Sequence, residues 1–176
     1  MADTATAITI RLLGRFVITV ADRTISDEPP WGSRKALHLV KLLALAPDHR
    51  LALDQLLDAL WPDLDPEAGQ RACHQTLYLA RRVLDPDRRG LLASRQRNVA
   101  LAAPGGVTVD RDQFRELANL ARQAGTIAAH EAALARYTGE LLPDDRYEDW
   151  AIVPRDEVQR LYARLVLDLA RLHGAG

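Results

Sequence analysis

The chain has 176 residues, with 23 Lys+Arg against 24 Asp+Glu and a net charge of −1; 48% of it is hydrophobic and 27% charged. That is room for one ordinary domain or two small ones with a buried core, and it excludes disorder, collagen and simple repeats. The single cysteine, Cys73, excludes an internal disulfide framework and fits a reducing compartment.

Residues 8–13 and 16–20 are rich in β-formers and separated by Gly14, so they read as two strands, with a third short extended piece at Arg23-Thr24-Ile25 before the Pro29-Pro30 break. Ser33 is a good N-cap. Beyond it Ala36, Leu39/Val40 and Leu43 repeat at helical spacing through Leu45, and Pro47 ends the helix. A second, short helix runs from about Leu53 to Trp61, with Leu53, Leu56/Leu57 and Leu60 on one side and Pro62 as its stop.

Asp65-Pro66-Glu67 is a strong helix start: a capping carboxylate, a proline at the first helical position, then an acid suited to the positive helix end. This third helix runs to Leu84. Cys73, Leu77, Ala80 and Leu84 form one narrow apolar stripe, and Arg71, Gln75, Tyr78 and Arg82 fall opposite, with His74 and Arg81 at the edge. No carboxylate interrupts that opposite face. Leu91 to Ser94, an Arg95-Gln96-Arg97-Asn98 tip and Val99 to Ala102 then read as strand, basic turn and strand. A Pro104-Gly105-Gly106 turn and a further strand at Val107-Thr108-Val109 follow.

The remainder is helical. Asp110 with Gln113 reads as a capping pair, and Phe114, Leu117, Ala118, Ala121 and Ala124 pattern a helix that Gly125 terminates. A second helix spans about Ile127 to Tyr137. After a loop at 143–145 that caps a helix at Tyr147, Pro154 opens a third, in which Val158, Leu161/Tyr162, Leu165, Leu169 and Leu172 share a face.

Charge is unevenly spread. Gly69 to Asn98 holds arginines 71, 81, 82, 88, 89, 95 and 97 against Asp85 and Asp87 alone, a local +5. An arginine cluster on a helix is often only a solvated face, but this one coincides with the third helix and the hairpin. Strands, three helices and a hairpin are the order of a winged helix with an N-terminal sheet. In that fold the third helix can enter the major groove while the hairpin tip lies along the backbone or minor groove.

Ser33-Arg34-Lys35-Ala36-Leu37, Leu56-Leu57-Asp58-Ala59-Leu60-Trp61-Pro62-Asp63 and the Arg-Arg-x-Leu close at 81–84 resemble the OmpR-like winged helix of SARP-type (antibiotic regulatory protein-like) transcriptional activators. Gly139-Glu140-Leu141-Leu142-Pro143, followed by Tyr147-Glu148-Asp149-Trp150-Ala151, resembles the start of the bacterial transcriptional activation domain, a tetratricopeptide-like helical array. The resemblance implies an α+β fold: an OmpR-like winged-helix DNA-binding domain at 8–109, then a truncated all-α, TPR-like activation domain at 110–176. It implies a recognition helix at 66–84, with Arg71, His74, Gln75, Tyr78, Arg81 and Arg82 on the DNA, and a wing at 94–99 contacting it through Arg95 and Arg97. It also implies recruitment of RNA polymerase, with the loop Pro62 to Pro66 as the place of contact. The chain departs from the family at Leu79, where a basic residue is usual, and at Ala80, where a large aliphatic is usual. Asn98-Val99-Ala100 stands in place of Gly-Tyr-Arg, and Ala52 in place of a capping Ser or Thr. The helical array stops after roughly one repeat, which reads as a fragment of a longer protein.

No catalytic constellation stands out, so no enzyme, cofactor or metal is expected. The five histidines include no His-x-x-x-His pair, and there is neither a Gly-x-Ser-x-Gly elbow nor a phosphate loop. Asp144, Asp145, Glu148 and Asp149 lack the spacing of a calcium loop and read as a solvated loop. Cys73 reads as core, and Trp61 and Trp150 as packing anchors. Met1-Ala2-Asp3-Thr4 shows no secretory signal, and the apolar stretch Leu37 to Ala46 is broken by Lys41 and is too short for a membrane span. The expectation is a cytoplasmic, sequence-specific regulator that binds double-stranded DNA, most effectively as two protomers. The rival is a protein-interaction or scaffold module that keeps the winged-helix fold without reading DNA.

Overall fold

The computed structural model describes residues 6–28 and 30–174. Met1-Ala2-Asp3-Thr4 and Pro29, half of the expected Pro29-Pro30 break, lie outside the described residues. The elements are β1 (Ile8–Arg11), β2 (Val17–Val20), β3 (Arg23–Ser26), α1 (Arg34–Leu45), β4 (Arg50–Ala52), α2 (Leu53–Leu60), α3 (Pro66–Leu84), β5 (Leu92–Arg95), β6 (Asn98–Leu101), β7 (Val107–Val109), α4 (Asp110–Ala124), α5 (Ile127–Leu134) and α6 (Asp149–Gly174). One sheet has the strand order β3-β2-β1-β7 and the other β4-β6-β5. This is an α+β fold, an N-terminal sheet, three helices and a hairpin followed by an all-helical stretch. The chain divides into two units, one formed by the chain through Ile10 with Val17–Val107, the other by Arg11–Phe16 with the chain from Thr108 onward. None of the described helices is long and apolar enough to cross a membrane.

In the first unit the caps act as their sequence requires. Ser33 Oγ accepts from the Lys35 N–H at 3.1 Å, and Asp65 Oδ1 accepts from the Ala68 N–H at 2.9 Å. The stripe Cys73, Leu77, Ala80 and Leu84 is buried, widened by Thr76 and Val83. Burial pushes the Cys73 thiol above its ordinary range, in keeping with an inert core residue. Helix α1 differs from its one-sided pattern: Ala36 to Ala44 are all buried, His38 and Lys41 included. Strand β4, three residues between a turn and a helix, is too short to carry a period in the sequence; it pairs with β6, Arg50 opposite Ala100. The 107–109 strand joins the N-terminal sheet rather than extending the hairpin.

Main-chain groups at the C-terminal end of α3 are held by charged side chains. Arg23, from β3, donates Nη1 to the Val83 carbonyl at 2.6 Å and Nη2 to the Leu84 carbonyl at 2.8 Å. These belong to the last four carbonyls, which a helix cannot satisfy internally, and a guanidinium there also suits the negative helix end. Beyond them the buried Asp85 carboxylate accepts from the N–H groups of Arg89 (2.7 Å), Gly90 (2.8 Å) and Leu91 (3.0 Å). Replacing Arg23→Ala is expected to lower unfolding stability by about 1–2 kcal/mol. Denaturant titration measures the loss, and faster amide exchange should be confined to the last turn of α3.

In the second unit a carboxylate takes the role that a strand neighbour was expected to play. The strand expected over 8–13 stops at Arg11 because the Leu12 and Leu13 N–H groups donate to Asp110, at 2.8 and 3.1 Å. Asp110 also accepts from the Arg111 N–H at 2.7 Å, so the expected Asp110–Gln113 capping pair does not form; Val109 is the N-cap of α4 and offers no side-chain cap. Gly125, at φ 62°, ends α4 in the left-handed conformation as read. Helix α5 ends at Leu134 rather than Tyr137, since Arg136 and Tyr137 donate to the carbonyls three residues back and tighten the turn.

Helix α6 begins at Asp149, with Pro154 inside it rather than opening it. A proline one turn into a helix forfeits only one intrahelical N–H. Asp145 is buried in a 3-10 turn, Pro143–Asp145, which corrects the solvated-loop reading there, and Tyr147 precedes the helix. Leu142 adopts φ 46°, and the buried Arg155 donates to the Leu141 and Leu142 carbonyls at 3.1 and 2.6 Å, holding that strained turn. On α6 Val158 and Leu165 are buried and Tyr162 stacks on Tyr137, the ring centroids 4.3 Å apart.

Burial raises the Asp110 carboxyl above the ordinary aspartate range, and the three N–H donors and Arg11 offset this only in part. The folded state therefore holds the proton to higher pH than the unfolded chain, and stability from this group falls as pH rises through that window. Unfolding measured for the native chain and Asp110→Asn should show their difference shifting in favour of the native chain on acidification across the window. Asp110→Ala, which strands buried N–H donors, should cost about 1–3 kcal/mol at neutral pH.

Candidate nucleic-acid interface

Helix α3 presents Arg71, His74, Gln75, Tyr78 and Arg82 as one exposed stripe, at i, i+3, i+4, i+7 and i+11. At the helical rise the stripe is about 16 Å long, a length that a major groove accommodates. Its members are only lightly engaged. Arg71 lies 3.8 Å from Glu67, one turn earlier on the same face, which corrects the reading of that face as free of carboxylate; both side chains are largely exposed, and Arg82 sits over the Tyr78 ring at 5.9 Å. His74 and Gln75 are exposed, and Tyr78 is 55% exposed.

Arg81 departs from that group. It is half-buried, and its Nε donates to the Leu92 carbonyl at 3.0 Å, which ties α3 to β5. Tyr78, Arg81 and Arg82, with Asp85, Pro86, Arg88, Gly90 and Leu92, line an open groove of about 580 Å³. Arg88, at φ 55°, is exposed at its lip; the arginine count included it, but nothing in the helical pattern marked it as a site residue. The backbone N–H cluster at 89–91 would attract an anion, but Asp85 already fills it.

The hairpin tip is tighter than the four-residue turn read from sequence. Register pairs Arg95 with Asn98, which leaves a two-residue turn, Gln96-Arg97, with φ of 49° and 59°. Both signs match the type I′ turn that the twist of two strands favours, although neither residue is the usual Asn or Gly. Of the two wing arginines, Arg95 is exposed and has no carboxylate partner among the described residues. Arg97 is not free: its Nη2 meets Asp54 Oδ1 at 2.6 Å, and its carbonyl accepts from the Leu53 N–H at 2.7 Å. The tip thus supplies an acceptor to the start of α2, where Ala52 has no side-chain oxygen; Gln55 Oε1 accepts from the Ala52 N–H at 2.9 Å. That empty cap position was the one sequence signal of the docking. Trp61, next to the exposed loop Pro62 to Pro66, is half-buried.

Among solved structures the chain is similar to Mycobacterium tuberculosis EmbR, determined in complex with a low affinity phosphopeptide. The TM-score is 0.60 and the identity 22%, over 96% of this chain and 44% of EmbR. The fold is that of the matched part of EmbR. The chain spans less than half the length of that protein, and at this identity the likeness is one of fold. No family model matches the sequence, and no curated protein matches it.

Left-handed φ at Gln96 costs a fraction of a kcal/mol to about 1 kcal/mol for most side chains but less for asparagine. Gln96→Asn should therefore raise the unfolding midpoint, by about 0.5 kcal/mol in stability, as measured by thermal or urea denaturation.

Proposed function

We propose that the chain is a sequence-specific regulator of transcription that binds double-stranded DNA, and that it acts as an activator in the cytoplasm. Residues 8–109 form the DNA-binding part, with α3 in the major groove and the wing at 94–99 on the backbone or minor groove. Residues 110–176 form the start of the activation domain, and the exposed loop Pro62 to Pro66 meets RNA polymerase. The observation that carries this reading is the exposed stripe Arg71, His74, Gln75, Tyr78 and Arg82 on the third helix of a winged-helix fold. Arg81 acts on DNA through the position of the hairpin, Arg95 as a direct wing contact, and Arg97 once DNA displaces the exposed Asp54 pair. One module buries a modest interface, so two protomers on direct or inverted half-sites supply useful affinity.

A second reading, a scaffold or interaction module without DNA binding, is favoured by the engagement of Arg97 with Asp54 and by Asn98-Val99-Ala100, which adds no cation to the wing. Site selection from random duplexes followed by salt titration separates the two. If about five phosphates are neutralised per protomer, log K falls against log salt with a slope of about −4 to −5. Arg71→Ala and Arg82→Ala should each weaken binding by about 1–3 kcal/mol. Indifference to salt and to both substitutions supports the scaffold.

A further inference from the structure

The second unit carries a basic groove that the DNA reading does not use. Helix α4 lines it with Arg115 and Arg122, one on each side of Asn119, and α6 lines it with Arg160 and Arg164. The spacing, i and i+7 on α4 and i and i+4 on α6, keeps each pair on one face of its helix. Arg115, Arg122 and Arg164 have no ion-pair partner among the described residues, and Arg160 lies 3.6 Å from the exposed Asp156. The groove has a volume of about 290 Å³. Its apolar lining is Val158, which is buried, and Leu161, half-buried. Its one carboxylate, Glu157, also faces the buried Arg111.

We infer that the groove between α4 and α6 docks an acidic, amphipathic peptide segment of a partner protein, its carboxylates on Arg115, Arg122 and Arg164 and its apolar side chains over Leu161. Guanidinium groups suit carboxylates through paired N–H donors, and three unpaired ones along a narrow channel supply the complementary charge. Half-buried Leu161 leaves an apolar edge among these cations, which fits a segment that alternates acidic and apolar side chains. A nucleic-acid backbone, charged at every unit, offers Leu161 no apolar contact.

The full chain, isotope-labelled for amide NMR, is titrated with a short peptide alternating Glu and Leu, with its Gln/Leu counterpart, and with duplex DNA. Shifts should centre on α4 and α6 with the Glu/Leu peptide, and the Gln/Leu peptide should bind about tenfold or more weakly. The double variant Arg115→Glu/Arg164→Glu, checked for native helicity, should lose about tenfold or more in Glu/Leu affinity. The milder Arg122→Gln should lose a few-fold, with duplex binding unchanged in both. The inference is overturned if the Glu/Leu peptide does not bind, binds no better than Gln/Leu, or shifts the α3 stripe instead. It is equally overturned if the variants lower duplex affinity and leave peptide affinity intact, which would make the groove a nucleic-acid surface.

Discussion

What the first unit presents to a partner depends on how the C-terminal end of α3 is held. A helix end leaves four carbonyls without intrahelical partners, and water can satisfy them without fixing the helix against its neighbours. Here Arg23 takes the Val83 and Leu84 carbonyls, Arg81 reaches the Leu92 carbonyl, and Asp85 gathers three N–H groups from the turn that follows. Each of these is a hydrogen bond with one charged partner, stronger than a neutral one. Together they couple the helix that exposes Arg71 to Arg82 to the hairpin that carries Arg95 and Arg97. The spacing between the two basic elements is thereby set by the fold rather than by an adaptable loop.

The hairpin tip is held in a related way at its other end. A type I′ turn built from Gln96 and Arg97 stores backbone strain that Asn-Gly would avoid, and the tip recovers contacts by lending its Arg97 carbonyl to the uncapped start of α2. One residue therefore serves as turn, cap and ion-pair partner. Such a residue is a poorer free cation than its sequence position suggests. Arg95, on the strand beside it, carries no such duties.

The second unit relies on the same device. Asp110 satisfies the Leu12 and Leu13 N–H groups, and Arg155 the Leu141 and Leu142 carbonyls, so charged side chains answer main-chain groups that the isolated Leu13–Leu141 bridge leaves over. A close approach of two glycines accompanies this: a Cβ at Gly139 would meet the Gly14 Cα at 2.9 Å. The Gly139-Glu140-Leu141-Leu142-Pro143 string therefore reflects a backbone contact as well as a family likeness.

Local chemistry made most elements readable in advance. Ser33 and Asp65 as caps, Pro66 at a first helical position, Gly125 as a left-handed stop and the 3.6-residue stripe of α3 all act within a turn of their own position, so sequence by itself determined α1, α3, α4 and the outward arginine face. It did not determine where Arg23, Arg81, Arg97, Asp110 and Arg155 would point. Those bonds join residues far apart in the chain: a charged side chain finds buried main-chain donors or acceptors only after distant segments have packed. For the same reason tertiary structure alone decided that Arg97 is engaged while Arg95 has no carboxylate partner among the described residues, that residues 12–13 leave the strand, and that four arginines on two helices line one groove.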